Sequence, residues 1–243
     1  MALYFIGIGL NDEKDITLKG LEAVKKCKFV YLENYTSKLS CSVKDLEKLY
    51  GKKIIQANRE LVEQNAEQTI LKNAKDADVA FLVIGDPMCA TTHIDLMLRA
   101  TKEGIKTKII HNASIVSAIG ITGLEVYKFG KITSIPFENE NVKAPYTILI
   151  DNLSKGMHTL FLLDLRPEEN KFLTIKQAIE YLMKQGVTKE TKAIACARVG
   201  ADDQMIKYGK ISKLKDLDFG EPPYCLIIPA ELHFMEEDAL EHW

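Results

Sequence analysis

The stretch Ala80-Phe81-Leu82-Val83-Ile84-Gly85-Asp86-Pro87-Met88-Cys89-Ala90-Thr91-Thr92-His93 decides the fold. Its apolar run has strand length and stops abruptly at Gly-Asp-Pro. Small and hydroxylated residues follow, then a helical pattern from Ile94 to Ala100. Such a pattern is a buried strand, a tight turn and a helix start. In an open parallel sheet, ligands bind beyond the carboxyl ends of the strands, so this turn is a candidate site. Gly85 permits backbone conformations that a side chain forbids, and Pro87 fixes the exit path. Thr91 and Thr92 offer hydroxyls to the orphan N–H groups of the helix start. The plainer alternative is a turn that only caps a helix.

Outward from this stretch the same alternation continues. Upstream, Leu3–Ile6, Lys28–Glu33 and Lys53–Gln56 are strand candidates. They are separated by helical patterns over Thr17–Lys26, Cys41–Tyr50 and Arg59–Lys75. Downstream come a helix over Thr92–Glu103 and a strand over Lys108–His111. Alternating strand and helix predicts a mostly parallel sheet covered on both faces. The helix-like, small-residue segment Asn112–Gly120 marks a junction, giving an N-terminal α/β domain over 1–112 and a C-terminal one over 113–243. In the second domain, strands are expected at Ile132–Phe137, His158–Leu165, Ala193–Ala197, Gln204–Ile211 and Tyr224–Pro229, and helices at Tyr146–Lys155 and Thr174–Gln185. Arg166–Lys171 is expected to be charged and exposed, and the acidic tail Glu236–Trp243 loosely held.

The 243 residues are 47% hydrophobic and 27% charged, which suits one or two soluble domains with a real core. No apolar run is long enough to span a bilayer, and the N-terminus reads as a first strand with no signal-peptide pattern. A net charge of −2 lacks the basic surplus of a nucleic-acid footprint. The five cysteines are scattered, with no C-x-x-C and no His/Cys cluster, so no metal site is expected. Reduced thiols in a cytoplasmic protein are the simplest account.

Gly7-Ile8-Gly9 after a strand suggests a dinucleotide fingerprint, and Glu33 mimics its ribose-binding carboxylate. The third glycine position is Asp12, however, and Asp12, Glu13 and Asp15 would repel a pyrophosphate. Each of the five histidines reads first as structural or surface, although His93, beside the Gly-Asp-Pro turn, is a minor ligand candidate.

An ordered set of blocks carries a resemblance. It comprises Gly7-Ile8-Gly9-Leu10, Tyr35-Thr36-Ser37, Gly85-Asp86-Pro87 with Ala90-Thr91-Thr92-His93, His111-Asn112-Ala113-Ser114-Ile115, Gly123-Leu124 with Tyr127-Lys128-Phe129-Gly130, and Asp218-Phe219-Gly220-Glu221-Pro222-Pro223. Together they resemble the diphthine synthase family, colinearly over nearly the whole chain. The resemblance implies the tetrapyrrole-methylase-like class of S-adenosylmethionine-dependent methyltransferases. It implies two α/β domains, a mostly parallel N-terminal sheet and a mixed C-terminal one, a cofactor cleft between them, and a homodimer.

Carried over position by position, the resemblance implies cofactor contacts at Leu10, Asp86, Cys89, Ser114 and Ile115, and in the second domain at Leu163, Val199 and Tyr224. Cys89 replaces a small aliphatic residue and Tyr224 a histidine. The implied substrate is elongation factor 2 at its modified histidine, whose aminocarboxypropyl amine is methylated repeatedly. The Glu33–Ser37 and His111–Ser114 blocks look closer to the eukaryotic form, which favours diphthine methyl ester as product. No catalytic base is assigned, since bulk water can take the amine's proton. Methyl transfer asks the protein to align nucleophile, methyl carbon and sulfur. Lys38, Lys128, Lys131 and Lys143 are candidates for docking the protein substrate. The competing readings are a related methylase acting on a tetrapyrrole and a non-catalytic module that binds elongation factor 2.

Overall fold

The structure, a computed structural model, describes residues 1–243. The chain divides into two compact units, Met1–Val116 and Ser117–Trp243.

The first unit holds β1 (Ala2–Gly7), α1 (Leu18–Lys26), β2 (Phe29–Glu33), α2 (Val43–Tyr50), β3 (Ile55–Ala57), α3 (Arg59–Glu63), α4 (Ile70–Asp76), β4 (Val79–Val83), α5 (Ile94–Lys102) and β5 (Lys106–Ile110). Its five strands form one sheet in the order β3-β2-β4-β1-β5, with every pairing parallel. Because side chains alternate along a strand, the sheet has two apolar faces. Leu3, Phe5, Tyr31, Phe81 and Val83 pack on one side, and Ile6, Val30, Leu32, Ala80 and Leu82 on the other. This double burial explains the unbroken apolar run of β4. Thr17 caps α1 by accepting from the Gly20 N–H at 3.0 Å, and Ser42 closes a capping box with Asp45 on α2.

The single helix expected over Arg59–Lys75 is two helices. The guanidinium of Arg99, on α5, takes the Val62 carbonyl at 2.5 Å and the Glu63 carbonyl at 3.4 Å. Those carbonyls would otherwise accept the N–H groups of the next helical turn. Nor do Thr91 and Thr92 cap α5, since the Thr91 hydroxyl donates back to the Pro87 carbonyl at 3.0 Å.

After α6 (Ile115–Ala118), which crosses the division, the second unit holds β6 (Thr133–Ile135), α7 (Ala144–Ser154), β7 (Thr159–Leu163), β8 (Leu165–Arg166), β9 (Lys171–Phe172), α8 (Ile175–Gln185), β10 (Lys192–Ala197), β11 (Met205–Lys210), α9 (Ile211–Leu214), β12 (Tyr224–Ile228) and α10 (Phe234–Leu240). Its main sheet runs β11-β10-β12-β7-β6 and is mixed, with β6–β7 the one parallel pairing. The face formed by Ala193, Ala195, Ala197, Phe161 and Leu226 takes the apolar stripe of α8, with Ile175, Ala178, Ile179 and Leu182. The Arg166–Lys171 segment, expected to be merely exposed, closes the small β8–β9 ladder around Asn170, which has a φ of 51°.

The tail over Glu236–Trp243 is not loosely held. Its first part, through Leu240, belongs to α10, where Leu240 and the Glu236 carboxylate are fully buried. The Glu236 side chain accepts from Lys128 Nζ at 2.7 Å, His158 Nε2 at 2.8 Å, and the His233 and Glu125 N–H groups at 2.9 and 3.0 Å. Burial alone would raise its pKa. The four donors outweigh burial and hold the carboxyl at about 2. His158 accepts the Ala230 N–H on Nδ1 at 2.9 Å, which fixes its proton on Nε2. Burial keeps this imidazole neutral by lowering its pKa. Lys128, a docking candidate on sequence, is therefore the counter-ion of a buried carboxylate.

Candidate functional site

In the first unit, β1, β4 and β5 end at one edge of the sheet. The backbones leaving β1 and β4 meet there in a local antiparallel bridge between Gly9 and Gly85, whose N–H and C=O groups pair at 2.6 and 3.4 Å. Both glycines have positive φ, 84° and 80°. A Cβ on Gly9 would lie 2.2 Å from the Asp15 Cβ, so no other residue fits without movement. Gly85 differs. A Cβ there would meet nothing nearer than the Ala113 carbonyl oxygen at 3.7 Å and the Leu10 side chain at 4.0 Å. A small open cradle thus lies over Gly85, bounded by one acceptor and one apolar side chain.

Three side chains hold this edge in shape. The Asp15 carboxylate accepts from the Leu10 and Asn11 N–H groups at 3.0 and 2.7 Å. These are amides that a pyrophosphate would need after a Gly-x-Gly turn, so the dinucleotide reading loses its anion site. Asn112 donates to the Gly7 and Asp15 carbonyls, each at 3.0 Å, and ties the end of β5 to that of β1. Asp86 is buried. Its Oδ1 accepts from Met88 N–H at 2.8 Å, and its Oδ2 from His111 Nδ1 at 2.8 Å and Asn112 N–H at 3.1 Å. Burial would raise this carboxyl, but the donors outweigh it and hold the pKa below the usual range. The carboxylate is thus committed to the turn's own amides and to His111.

Cys89 is exposed, with its amide on the Asp86 carbonyl at 3.3 Å. Its thiol is within hydrogen-bond reach of the Asp86 carboxylate and the Ser114 hydroxyl; burial and then Asp86 push its pKa up. The structure therefore brings Leu10, Asp86, Cys89, Ser114 and, one residue on, Ile115 to this one edge.

The neighbouring strand β2 ends in Glu33, fully buried. Its carboxylate accepts from the Thr36 hydroxyl at 2.5 Å and from the Thr36 and Tyr35 N–H groups at 3.1 and 3.4 Å. Burial outweighs these donors and raises its pKa. Glu33 thus folds the Asn34–Ser37 loop rather than presenting a free carboxylate. His93 is buried too, edge-on to Phe81 at 5.2 Å with Tyr35 Oη 3.5 Å from Nε2. Burial holds its imidazole neutral, lowering the pKa to about 4. It is a core histidine.

In the second unit, the register brings Leu163, Tyr224 and the exit of β10 to one edge. Tyr224 pairs with Ala197, and Leu163 follows Leu162, which pairs with Cys225. Val199 lies two residues past Ala197 and is buried. Arg198, with a φ of 53°, shapes this edge. It donates to Asp203 Oδ2 at 2.8 Å, to the Asp203 carbonyl at 2.9 Å, and to the carbonyls of Phe219 and Glu221. The Tyr224 hydroxyl donates to the Gly220 carbonyl.

Sequence reasoning overlooked Arg198 and the anchoring role of Asp15. Asp15 carries a faint signal, an acid six residues past a Gly-x-Gly strand end. Arg198 carries none, since half of its acceptors are backbone carbonyls more than twenty residues away and the others are on Asp203 in the following loop.

A parallel five-stranded sheet with glycine turns at its carboxyl edge, joined in one chain to a mixed five-stranded sheet, defines a two-sheet α/β class. A crystal structure of diphthine synthase superposes with a TM-score of 0.94 at 39% identity, covering 100% of this chain and 95% of that one. The chain belongs to the Tetrapyrrole (Corrin/Porphyrin) Methylases family, whose model matches residues 2–215. Diphthine synthase of Methanocaldococcus jannaschii is 47% identical, over 99% of this chain and 98% of its own. A probable diphthine methyl ester synthase of Arabidopsis thaliana is 45% identical over 99% and 98%.

Proposed function

We propose that this chain transfers methyl groups from S-adenosylmethionine to the modified histidine of elongation factor 2, as a homodimer in the cytoplasm, in the pathway its relatives' names denote. The carrying observation is the cradle over Gly85. It offers a carbonyl acceptor and a leucine, and its neighbouring amides are already saturated by Asp15 and Asp86. Such a surface suits a ligand with an amino group, hydroxyls and an adenine, and disfavours a phosphate-rich one. Leu10, Cys89, Ser114 and Ile115 would line it in the first unit, with Asp86 holding the turn that places them. On the resemblance, Leu163, Val199 and Tyr224, at the strand edge of the second unit, are further proposed cofactor contacts.

Bound S-adenosylmethionine supplies an electrophilic methyl group. The chain's own residues bind and orient, and they keep fixed positive charge away from a sulfonium: the eight lining positions include no lysine or arginine. The accepting amine must shed a proton, and no buried base on this surface is free to take it, because Asp86 and Glu33 are both committed to internal donors. Solvent is the acceptor.

Calorimetric titration with S-adenosylhomocysteine, with NAD as comparison, tests the cofactor. Micromolar binding with NAD silent is expected; NAD binding alone refutes the reading. Incubation with the methyl donor and unmethylated elongation factor 2, followed by mass spectrometry, tests the substrate. The archaeal diphthine synthase and the plant methyl ester synthase are almost equally similar, so identity does not choose the product. The Glu33–Ser37 and His111–Ser114 blocks favour a fourth, ester-forming transfer, and a mass gain that stops at three methyl groups excludes it.

A further inference from the structure

Cys196 and Cys225 are the two cysteines that the strand register sets directly opposite each other, on β10 and β12. Directly opposed residues in an antiparallel pair project to the same face. The spacing follows from the ladder. Arg198 N–H donates to the Pro223 carbonyl at 2.9 Å, so 198 and 223 form a hydrogen-bonded pair. Alternation along the ladder makes 196 and 225 hydrogen-bonded as well, with Cα atoms about 5.5 Å apart. That Cα separation falls at the usual value for a disulfide, about 5.5–6 Å, while the Cβ atoms of a hydrogen-bonded pair stand about 1 Å wider than a disulfide's, so closing the bond draws the two strands together. Both side chains are buried and lie on the same face of the sheet, directly across the ladder from each other. The other three cysteines occupy separate places in the first unit, Cys27 buried, Cys41 half-buried and Cys89 exposed.

We propose that Cys196 and Cys225 form a redox-linkable dithiol, oxidised by a small peroxide or azo oxidant to a cross-strand disulfide that locks β10 to β12. With a peroxide, one thiol sulfur attacks a peroxide oxygen, giving a sulfenic acid and one water. The second sulfur then displaces hydroxide, which leaves as a second water, and the S–S bond closes. Two thiols lose two electrons and two protons, and the peroxide is reduced to two waters. The second step is intramolecular between residues that the ladder sets directly opposite each other, so it outruns capture by outside thiols. The hydrogen bond to Cys225, and then burial, raise the Cys196 pKa, so the attack on the oxidant proceeds through thiolate formed in local openings of the strand pair, and bulky alkylating agents react slowly. The lock falls one residue from Ala197 and one from Tyr224, at the strand edge described above. The proposal stands independently of the methyl-transfer reading.

The test uses the full folded chain, reduced and desalted, then treated with diamide or hydrogen peroxide. The samples are quenched in acid, alkylated in denaturant, digested without reductant and mapped by mass spectrometry. The expected product is a linked pair of peptides carrying Cys196 and Cys225, lighter than their sum by two hydrogen atoms, and the dominant intramolecular pair. C225S is expected to abolish it and leave Cys196 alkylated. Two results overturn the proposal: full alkylation of both residues at doses that oxidise Cys89, or a link that appears only after unfolding in urea.

Discussion

Lowering the pH from about 7 to about 5 should destabilise the first unit through His93. The ring is sealed between Phe81 and Tyr35 and is held neutral by burial. The unfolded chain binds the proton near the ordinary value, while the folded chain resists it. Stability from this group is therefore complete above the unfolded pKa and is lost as pH falls through the folded one. With an ordinary value of 6.5 and a folded value of about 4, the full loss approaches ~3 kcal/mol, of which ~2 kcal/mol is reached by about pH 5. Hydrogen exchange of the β4 amides, corrected for the intrinsic pH dependence of exchange, reads the opening of this unit. His158 acts in the same direction but lies in the second unit. The control is H93Q, which keeps a polar, roughly ring-sized side chain and cannot titrate in this range. Wild type should lose β4 protection between the two pH values while H93Q, whatever its starting stability, should not. Parallel pH dependences in the two proteins would refute the reasoning.

Asp86→Ala strands the Met88 and Asn112 N–H groups and releases His111; at about 1.5–3 kcal/mol per charge-assisted bond, S-adenosylhomocysteine affinity should fall at least about tenfold by calorimetry, and an unchanged Kd would show that the turn does not serve the cofactor. Gly85→Ala has room for its methyl and should cost only about 1–2 kcal/mol for the left-handed backbone, yet abolish ligand binding by filling the cradle, whereas Gly9→Ala should chiefly lower the melting temperature. Glu236→Gln leaves Lys128 and His158 without their buried anion, and a loss of about 3–5 kcal/mol from the second unit is expected in urea unfolding. Wild type should show an acid limb from the same carboxylate, since its folded pKa of about 2 lies below the ordinary value of 4.5: the contribution is present above about pH 4.5 and lost as pH falls toward 2. That limb should be absent in Glu236→Gln.

What the sequence made legible was local. The strands and most helices of the first unit stand out because each apolar run or stripe is written in consecutive residues, and the Gly-Asp-Pro turn announces itself for the same reason. What escaped was decided at a distance. The break between α3 and α4 depends on Arg99, about 36 residues further on. The inward commitment of Asp86 depends on His111 and Asn112, 25 and 26 residues away. The acidic tail looks solvated until Glu236 meets Glu125 and Lys128, 111 and 108 residues earlier. A carboxylate's charge is readable from its letter, but the donors that cancel the cost of burying it are not.

That last separation bears on how the protein is made. A ribosome delivers the chain from its N-terminus, and domains fold as units as they emerge. The first unit has all its strands by Ile110. The second has its whole main sheet by Ile228, yet His158 and Lys128 still await their counter-ion until α10 arrives. A nascent chain paused between those points carries a finished first sheet and a second one with its polar core unsatisfied. Synthesis thus imposes an order on assembly: the second unit is sealed only after its main sheet is already made.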